Sequence, residues 1–388
     1  MGRVKPQKLA QRRNRSFVSK QLIAATSKPT LQQTKPRKRH QYRFRHRPRP
    51  LREADRQELA RIAEETVAIS QGDGSYIDAK SGLTHNIAYQ LSASKEKTCI
   101  YASSSTGLID NWQDGPRLLT LPPGHQTQIK FLQVSPLRGA HDLAQSLQDA
   151  KDSGGIGFLN CCSAKRPGGG FLNGGTEQEE CLARASTLYA SLFSDTAAPF
   201  YRAHRHDDAA GFYDHQLIYT PHVVVIRRDR RPGDQTETGG GQLVPPFHMS
   251  VVSSCAINAQ QLRRLYQHNV SKREINQGME DVMRARMARI LRVFEERGIR
   301  NLLLGAFGVG QPFHNNVETI ARIWAELLAC HGAVFKHVFQ RVWFAVDMTQ
   351  FQFQQRFKRA FETRVFEEEL TVALTTEEGD GEDWEPVS

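Results

Sequence analysis

An α/β fold with a largely parallel sheet is predicted by three observations. Short apolar runs rich in β-branched residues recur along the chain, amphipathic stretches at helical spacing separate them, and no internal repeat interrupts the alternation. At 388 residues and 39% hydrophobic content the chain can bury one large core or two smaller ones.

The elements follow in order. Leu51 to about Ser70 predicts an amphipathic helix, with Leu59, Ile62, Ala63, Val67 and Ile69 on or near one face. Segments near 98–103 and 128–134 are predicted strands, separated by a Gly/Asp/Pro-rich loop. A helix from His141 to Ser153 leads into a short apolar run at 156–162, the pattern of a buried strand. Leu182, Ala185, Leu188, Tyr189 and Leu192 then fall at helical spacing through Phe193. A polar loop is expected from Arg202 to Asp214, followed by Leu217–Tyr219 and Val223–Arg227 as a strand pair or one broken strand. Residues 229–242 read as an exposed loop, and Val251–Ala256 as a strand. A long basic amphipathic helix is expected at 277–297, with Met279, Val282, Met283, Met287, Ile290, Leu291 and Phe294 toward a core. Leu302–Ala306 reads as a strand, Val317–Cys330 as a helix and Val338–Val346 as the last strand.

The most informative segment runs from Gly168 to Glu180, Gly-Gly-Gly-Phe-Leu-Asn-Gly-Gly-Thr-Glu-Gln-Glu-Glu. Glycines at 168–170 let a backbone approach a ligand closely, because no Cβ intervenes and positive φ is open to them. The segment ends in adjacent carboxylates, Glu179 and Glu180, at a predicted helix start. Thr176 and Glu179 fit the Thr-x-x-Glu capping box, which gives Glu179 a purely structural reading.

This stretch resembles the glycine-triplet, spacer, Gln-Glu-Glu signature of poly(ADP-ribose) glycohydrolases. Phe158-Leu159-Asn160 and the run Ala164 to Gly174 are similar to the microbial-type branch of that family. The resemblance covers roughly residues 50–350. It implies a macrodomain-like three-layer α/β/α fold with a mixed, largely parallel sheet, plus an N-terminal helical extension. It also implies a hydrolase that cleaves the ribose–ribose O-glycosidic bond of poly(ADP-ribose), without a cofactor or a metal. The expected layout is a catalytic domain at 51–364, with 51–130 as its helical accessory part, between a basic disordered tail at 1–50 and an acidic disordered tail at 365–388.

A second ligand loop is read at Gly305-Ala306-Phe307-Gly308-Val309-Gly310, between a strand and a helix beginning near Val317. Such turns cradle phosphates on free N–H groups and the positive end of the helix dipole. The spacing matches neither the dinucleotide fingerprint nor the P-loop. The loop resembles the family's diphosphate-binding loop, which assigns Gly308, Val309 and Gly310 to substrate, and Phe313 to packing on the distal ribose. Val309 stands where the family commonly has cysteine. The same resemblance assigns Gly168, Gly169, Gly170, Asn173 and Gln178 to substrate binding. Asn160 stays open between ribose contact and turn stabilisation.

Cleavage of a ribosyl bond passes through an oxocarbenium-like state and needs a proton on the leaving oxygen. Neighbouring helical residues point about 100° apart and cannot flank a sugar from opposite sides. The expected division of labour makes Glu180 the general acid and then the base toward water, with Glu179 holding ribose hydroxyls. The helix dipole lowers a carboxylate pKa, whereas a close second carboxylate raises it.

The net charge of +11 sits at the ends. Residues 1–50 hold 16 Lys/Arg and no acid, and residues 365–388 hold nine acids and no base. The first 50 residues have too few apolar side chains to fold alone. Three readings compete for them: a nuclear-import or nucleic-acid arm, a mitochondrial presequence, or a solvated extension. A nuclear or cytoplasmic protein is expected, with mitochondria as the alternative. The expected partners are poly(ADP-ribose) or ADP-ribosylated proteins and a polyanion at residues 1–50, with no membrane and a monomeric state. Six cysteines without a Cys-x-x-Cys pair predict buried thiols.

Two rival functions remain open: a non-catalytic ADP-ribose reader on the same fold, and a metal-dependent hydrolase. The second rests on His204, His206, Asp207, Asp208, Asp214 and His215.

Overall fold

The computed structural model of the protein describes residues 51–103, 107, 109–152, 154–205, 211–229, 241–346 and 351–377. The tail at 1–50, residues 378–388 and most of the loop predicted at 229–242 lie outside the described residues.

Helix α1 (Glu53–Gln71) precedes a hairpin of β1 (Ser75–Ile77) and β2 (Thr84–Asn86), then α2 (Ala88–Lys97) and β3 (Cys99–Tyr101). Strand β4 (Gln128–Leu132), α3 (Pro136–Asp149) and β5 (Ile156–Cys161) follow. A 3-10 turn at Phe171–Asn173 leads to α4 (Gln178–Ala185), α5 (Leu188–Leu192) and α6 (Ala198–Arg205). Next come β6 (Leu217–Arg227), β7 (Leu243–Ser254), α7 (Ala259–Tyr266) and α8 (Lys272–Glu296). The chain closes with β8 (Asn301–Leu304), α9 (Val317–Leu328), β9 (Arg341–Ala345) and α10 (Phe351–Glu377).

Seven strands form one mixed sheet in the order β3-β6-β7-β5-β8-β9-β4. From β7 to β4 every neighbour is parallel, while the β3–β6 and β6–β7 pairs are antiparallel. Side chains alternate between two cores, as a pleated strand buried on both faces requires. Leu159, Leu302, Leu304, Val342 and Phe344 face a core with α8 and α9, whereas Phe158, Leu303, Trp343 and Ala345 face one with α3 to α6. The three-layer architecture is thus as expected.

Several elements differ from expectation, each for a local reason. Helix α3 begins at Pro136 rather than His141, because Ser135 accepts the Arg138 N–H at 3.0 Å and proline occupies the first turn. The helix expected to run through Phe193 breaks after Ala185. There β6 captures the backbone: the Thr187 N–H donates to Val224 O at 3.0 Å and Thr187 Oγ1 accepts the Val224 N–H at 3.0 Å. Arg202–Arg205 is helical, since Phe200, Tyr201 and His204 bury one side of α6. The two runs at 217–227 are one strand, broken in register between Thr220 and Val223 by Pro221 and by His222 at positive φ. Pro245 and Pro246 mask the first half of β7 in the sequence.

Two elements cross the expected boundaries. The two edge strands are β3, within residues 51–130, and β4, which runs across residue 130 to Leu132. Helix α10 runs past the expected end of the domain at 364 to Glu377, anchored by Phe357 and Phe361 against Phe131 and Phe344.

Candidate active site

A cavity of about 670 Å³ opens at the carboxyl ends of β5, β8 and β9. This is where open α/β sheets bind ligands: the chain leaves the adjacent strands β5 and β8 toward opposite sides of the sheet, to β6 and to β9, which leaves a crevice between them. The segment from Ser163 to Leu182 forms one wall and the loop from Gly305 to Phe313 another.

On the first wall, Gln178 ties the start of α4 to the end of β5. Its Nε2 donates to Leu159 O at 2.8 Å and its Oε1 accepts the Cys161 N–H at 3.3 Å. Both ends of the amide are therefore spent on backbone, and Gln178 positions the acids behind it. Glu179 points inward and is 3% exposed. Its Oε2 accepts the Ser163 N–H at 2.7 Å, and its Oε1 has no hydrogen-bond partner among the described residues. Burial pushes the Glu179 carboxyl up to about 8; the Ser163 N–H and the Asn160 amide oppose the shift and the Glu180 charge adds to it.

Glu180 is half-buried on the cavity wall. Its Oε1 accepts the Gly170 N–H at 2.7 Å and its Oε2 the Glu177 N–H at 2.9 Å. The Glu177 side chain in turn accepts the Glu180 N–H, which completes a capping box. The expected Thr176–Glu179 box is corrected: α4 starts one residue later than its sequence suggests, so the reciprocal pair is Glu177 and Glu180.

The glycines make room for that carboxylate. A Cβ at Gly169 or Gly170 would stand 3.1 or 2.9 Å from Glu180 Oε1, and one at Gly175 would overlap the carboxylate itself. Gly169 also has φ +60° and Gly168 φ +67°. Gly168 is buried against Phe171 and Tyr189 and does not line the cavity. Asn173 lies exposed on the 3-10 turn, likewise off the cavity wall. Asn160 is fully buried, with Nδ2 donating to Ser253 Oγ at 3.0 Å. A Cβ at Gly174 would overlap Arg56 O, so α1 docks directly on this loop.

On the second wall, Gly308 has φ +70° and packs so tightly on Ala256 that a Cβ would overlap it. Asn315 Nδ2 donates to both Gly308 O and Ile257 O at 3.0 Å, fixing the loop to the turn after β7. Val309, Gly310 and Phe313 line the cavity, and Phe313 is also 7% exposed within the α8–α9 core. Phe313 is therefore both a core anchor and part of the cavity wall. Helix α9 does not follow the glycine turn directly. Its N-cap is Asn316, whose Oδ1 accepts the Thr319 N–H at 2.8 Å, and neither Asn316 nor Val317 lines the cavity. Loop backbone, not a helix end, lines the cavity here.

Ser163, Lys165, Arg166 and Tyr213 join the cavity without being singled out by sequence. Tyr213 sits at φ +52°, and buried Arg286 holds its carbonyl at 3.2 Å and Cys255 O at 2.7 Å. No local pattern announces such long-range ties.

The histidine cluster resolves differently. His204 is buried with Nε2 2.8 Å from Asp214 Oδ1. Burial opposes its charge, but hydrogen bonds to Asp214 and Cys255 win and hold the imidazolium to about 9. Burial and the nearby Arg286 charge push His215 down to about 3. His206, Asp207 and Asp208 lie outside the described residues. Among the described residues no group of three or more His, Cys, Asp or Glu stands where a metal would be held.

The model of the microbial-type PARG catalytic domain matches residues 63–228. The poly(ADP-ribose) glycohydrolase (PARG) of Thermomonospora curvata is 31% identical over 80% of this chain and 100% of its own, with a TM-score of 0.64. Its structure bound to the inhibitor ADP-HPD matches at 31% identity over the same shares, with a TM-score of 0.62. The enzyme of Deinococcus radiodurans in complex with ADP-ribose is 26% identical over 70% of this chain and 96% of its own, with a TM-score of 0.56. No curated protein sequence matches.

Proposed function

The chain belongs to the microbial-type poly(ADP-ribose) glycohydrolase family, and from that premise we propose how its cavity cleaves the ribose–ribose O-glycosidic bond. The observation that carries the proposal is the Glu180 carboxylate, wrapped by glycines and fixed by two N–H groups on the cavity wall.

The ADP-ribose unit to be released lies in the cavity, its diphosphate against the backbone of Gly308–Gly310 and its distal ribose toward α4. Phe313 closes the wall beside that ribose. Neutral Glu179, with Oε1 unpartnered, binds a ribose hydroxyl and places the anomeric carbon beside Glu180. Burial keeps the Glu179 carboxyl protonated near neutral pH.

During the reaction Glu180 takes up a proton from solvent, to which its half-buried carboxyl is open, and delivers it to the leaving ribose oxygen as the glycosidic C–O bond breaks. The Glu180 carboxylate, stabilised by the Gly170 and Glu177 N–H groups, then takes a proton from water as its oxygen adds to the oxocarbenium carbon. The proton lost to the leaving group is thereby restored. Glu180 suits this role because it is the more accessible of the two acids.

The test is release of ADP-ribose from poly(ADP-ribosyl)ated protein by the full chain, with and without chelator. Release in both conditions is expected. Binding of ADP-ribose without release would make the chain a reader, and release abolished by chelator would return the metal reading.

A further inference from the structure

Helix α10 has two apolar faces, and the described fold uses one. Phe357 and Phe361 are buried, Val365 packs beside them, and Arg364 pairs with Glu326 of α9 at 3.0 Å. At about 100° per residue Leu370 stands about half a turn round from Phe361, with Phe366 and Leu374 on the same side. These three side chains are 63% (Phe366), 50% (Leu370) and 55% (Leu374) exposed. A helix apolar on opposite sides is normally buried on both.

The rim of this outer stripe names the charge of its occupant. Glu367 and Glu369 flank it, and neither makes an ion pair among the described residues. In a parallel pair of α10 helices from two copies these acids would face each other. Three side chains also fall far short of the roughly 1,200 Å² that a stable intermolecular interface buries. A segment of the same chain needs much less, since its covalent tether holds it at an effective concentration of about millimolar.

The chain carries such a segment. Residues 1–50 contain 16 Lys/Arg and no acid, and their apolar residues include the pairs Phe17-Val18 and Leu22-Ile23, set among Arg12, Arg13, Arg15, Lys20 and Lys28. From Ile23 to Leu51 the chain reaches up to about 90 Å at about 3.3 Å per residue, so distance does not limit contact. We propose that the outer face of α10 is the docking surface for this protein's own basic segment at residues 12–28.

The test uses the full chain with a photo-crosslinking amino acid in place of Leu370, an exposed position that folding does not require. Irradiation at low salt should give a crosslinked monomer whose partner peptide maps to residues 12–28. Raising the salt to about 0.5 M, or substituting Arg12, Arg13 and Arg15 by Glu, should lower the yield by at least about fivefold. A crosslinked dimer, a crosslink to any other segment, or quenching by solvent alone would overturn the proposal.

Discussion

The Glu180 carboxylate accepts the Gly170 N–H at 2.7 Å, ten residues back along the chain. This bond explains why the glycine triplet and the acid pair occur at a fixed spacing. The loop must fold back over α4 until its backbone meets the side chain of the third helical residue. Glycine at 169, 170 and 175 keeps Cβ atoms out of that contact.

Gly175→Ala tests this directly. The new Cβ would overlap the carboxylate, so Glu180 must leave its two N–H donors or the loop must shift. The kcat on poly(ADP-ribose) should fall by roughly tenfold to a hundredfold, the scale on which misplaced catalytic groups act. Thermal unfolding should change little by comparison. Unchanged turnover would separate the glycines from the acid.

Burial of Glu179 makes stability depend on pH. Its folded pKa of about 8 lies above the ordinary value of 4.5, so between those values the folded state holds a proton that the unfolded chain releases. Stability therefore falls as pH rises through that window, by at most about 1.4 kcal/mol per pH unit from this group. Glu179→Gln removes the effect. Urea midpoints at pH 5, 6.5 and 8 should show the variant gaining on the parent as pH rises. Parallel profiles would mean that Glu179 is ionised throughout.

Gly308→Ala addresses the other wall. Its Cβ would overlap Ala256 at a φ of +70° that alanine tolerates poorly. The loop would detach from the turn after β7, and ADP-ribose affinity measured by calorimetry should fall by about tenfold or more, on the scale of about 1–3 kcal/mol for backbone strain. Affinity equal to the parent would show that the loop does not hold the diphosphate.

The alternation of strands and helices and the run from Gly168 to Glu180 were legible because periodicity and glycine spacing are local properties. What escaped depends on distant partners. Thr187 was hidden because a strand 37 residues later breaks the helix there. Tyr213 was hidden because Arg286, far along the chain, fixes its carbonyl. The roles of the two acids were assigned on a capping pattern that fits the sequence in two registers. The fold chose the register with Glu177 as N-cap, which gives Glu180 the structural bond and Glu179 the buried position. Glu180 is thus both cap and proposed acid, because a carboxylate held by backbone N–H groups is also one held in place for chemistry.

The most direct test compares Glu180→Gln with Glu179→Gln in single-turnover cleavage of poly(ADP-ribose), with ADP-ribose affinity measured on the same preparations. Glutamine at 180 keeps one acceptor oxygen for either the Gly170 or the Glu177 N–H while proton transfer is lost, and thermal unfolding of the same preparations checks that the fold is kept. The Glu180 variant should lose about a hundredfold or more in rate, the scale of general acid–base catalysis, with affinity close to the parent. The Glu179 variant should keep most of its rate at saturating polymer and lose affinity. A Glu180 variant that turns over normally, beside an inactive Glu179 variant, would transfer the catalytic role to the buried acid.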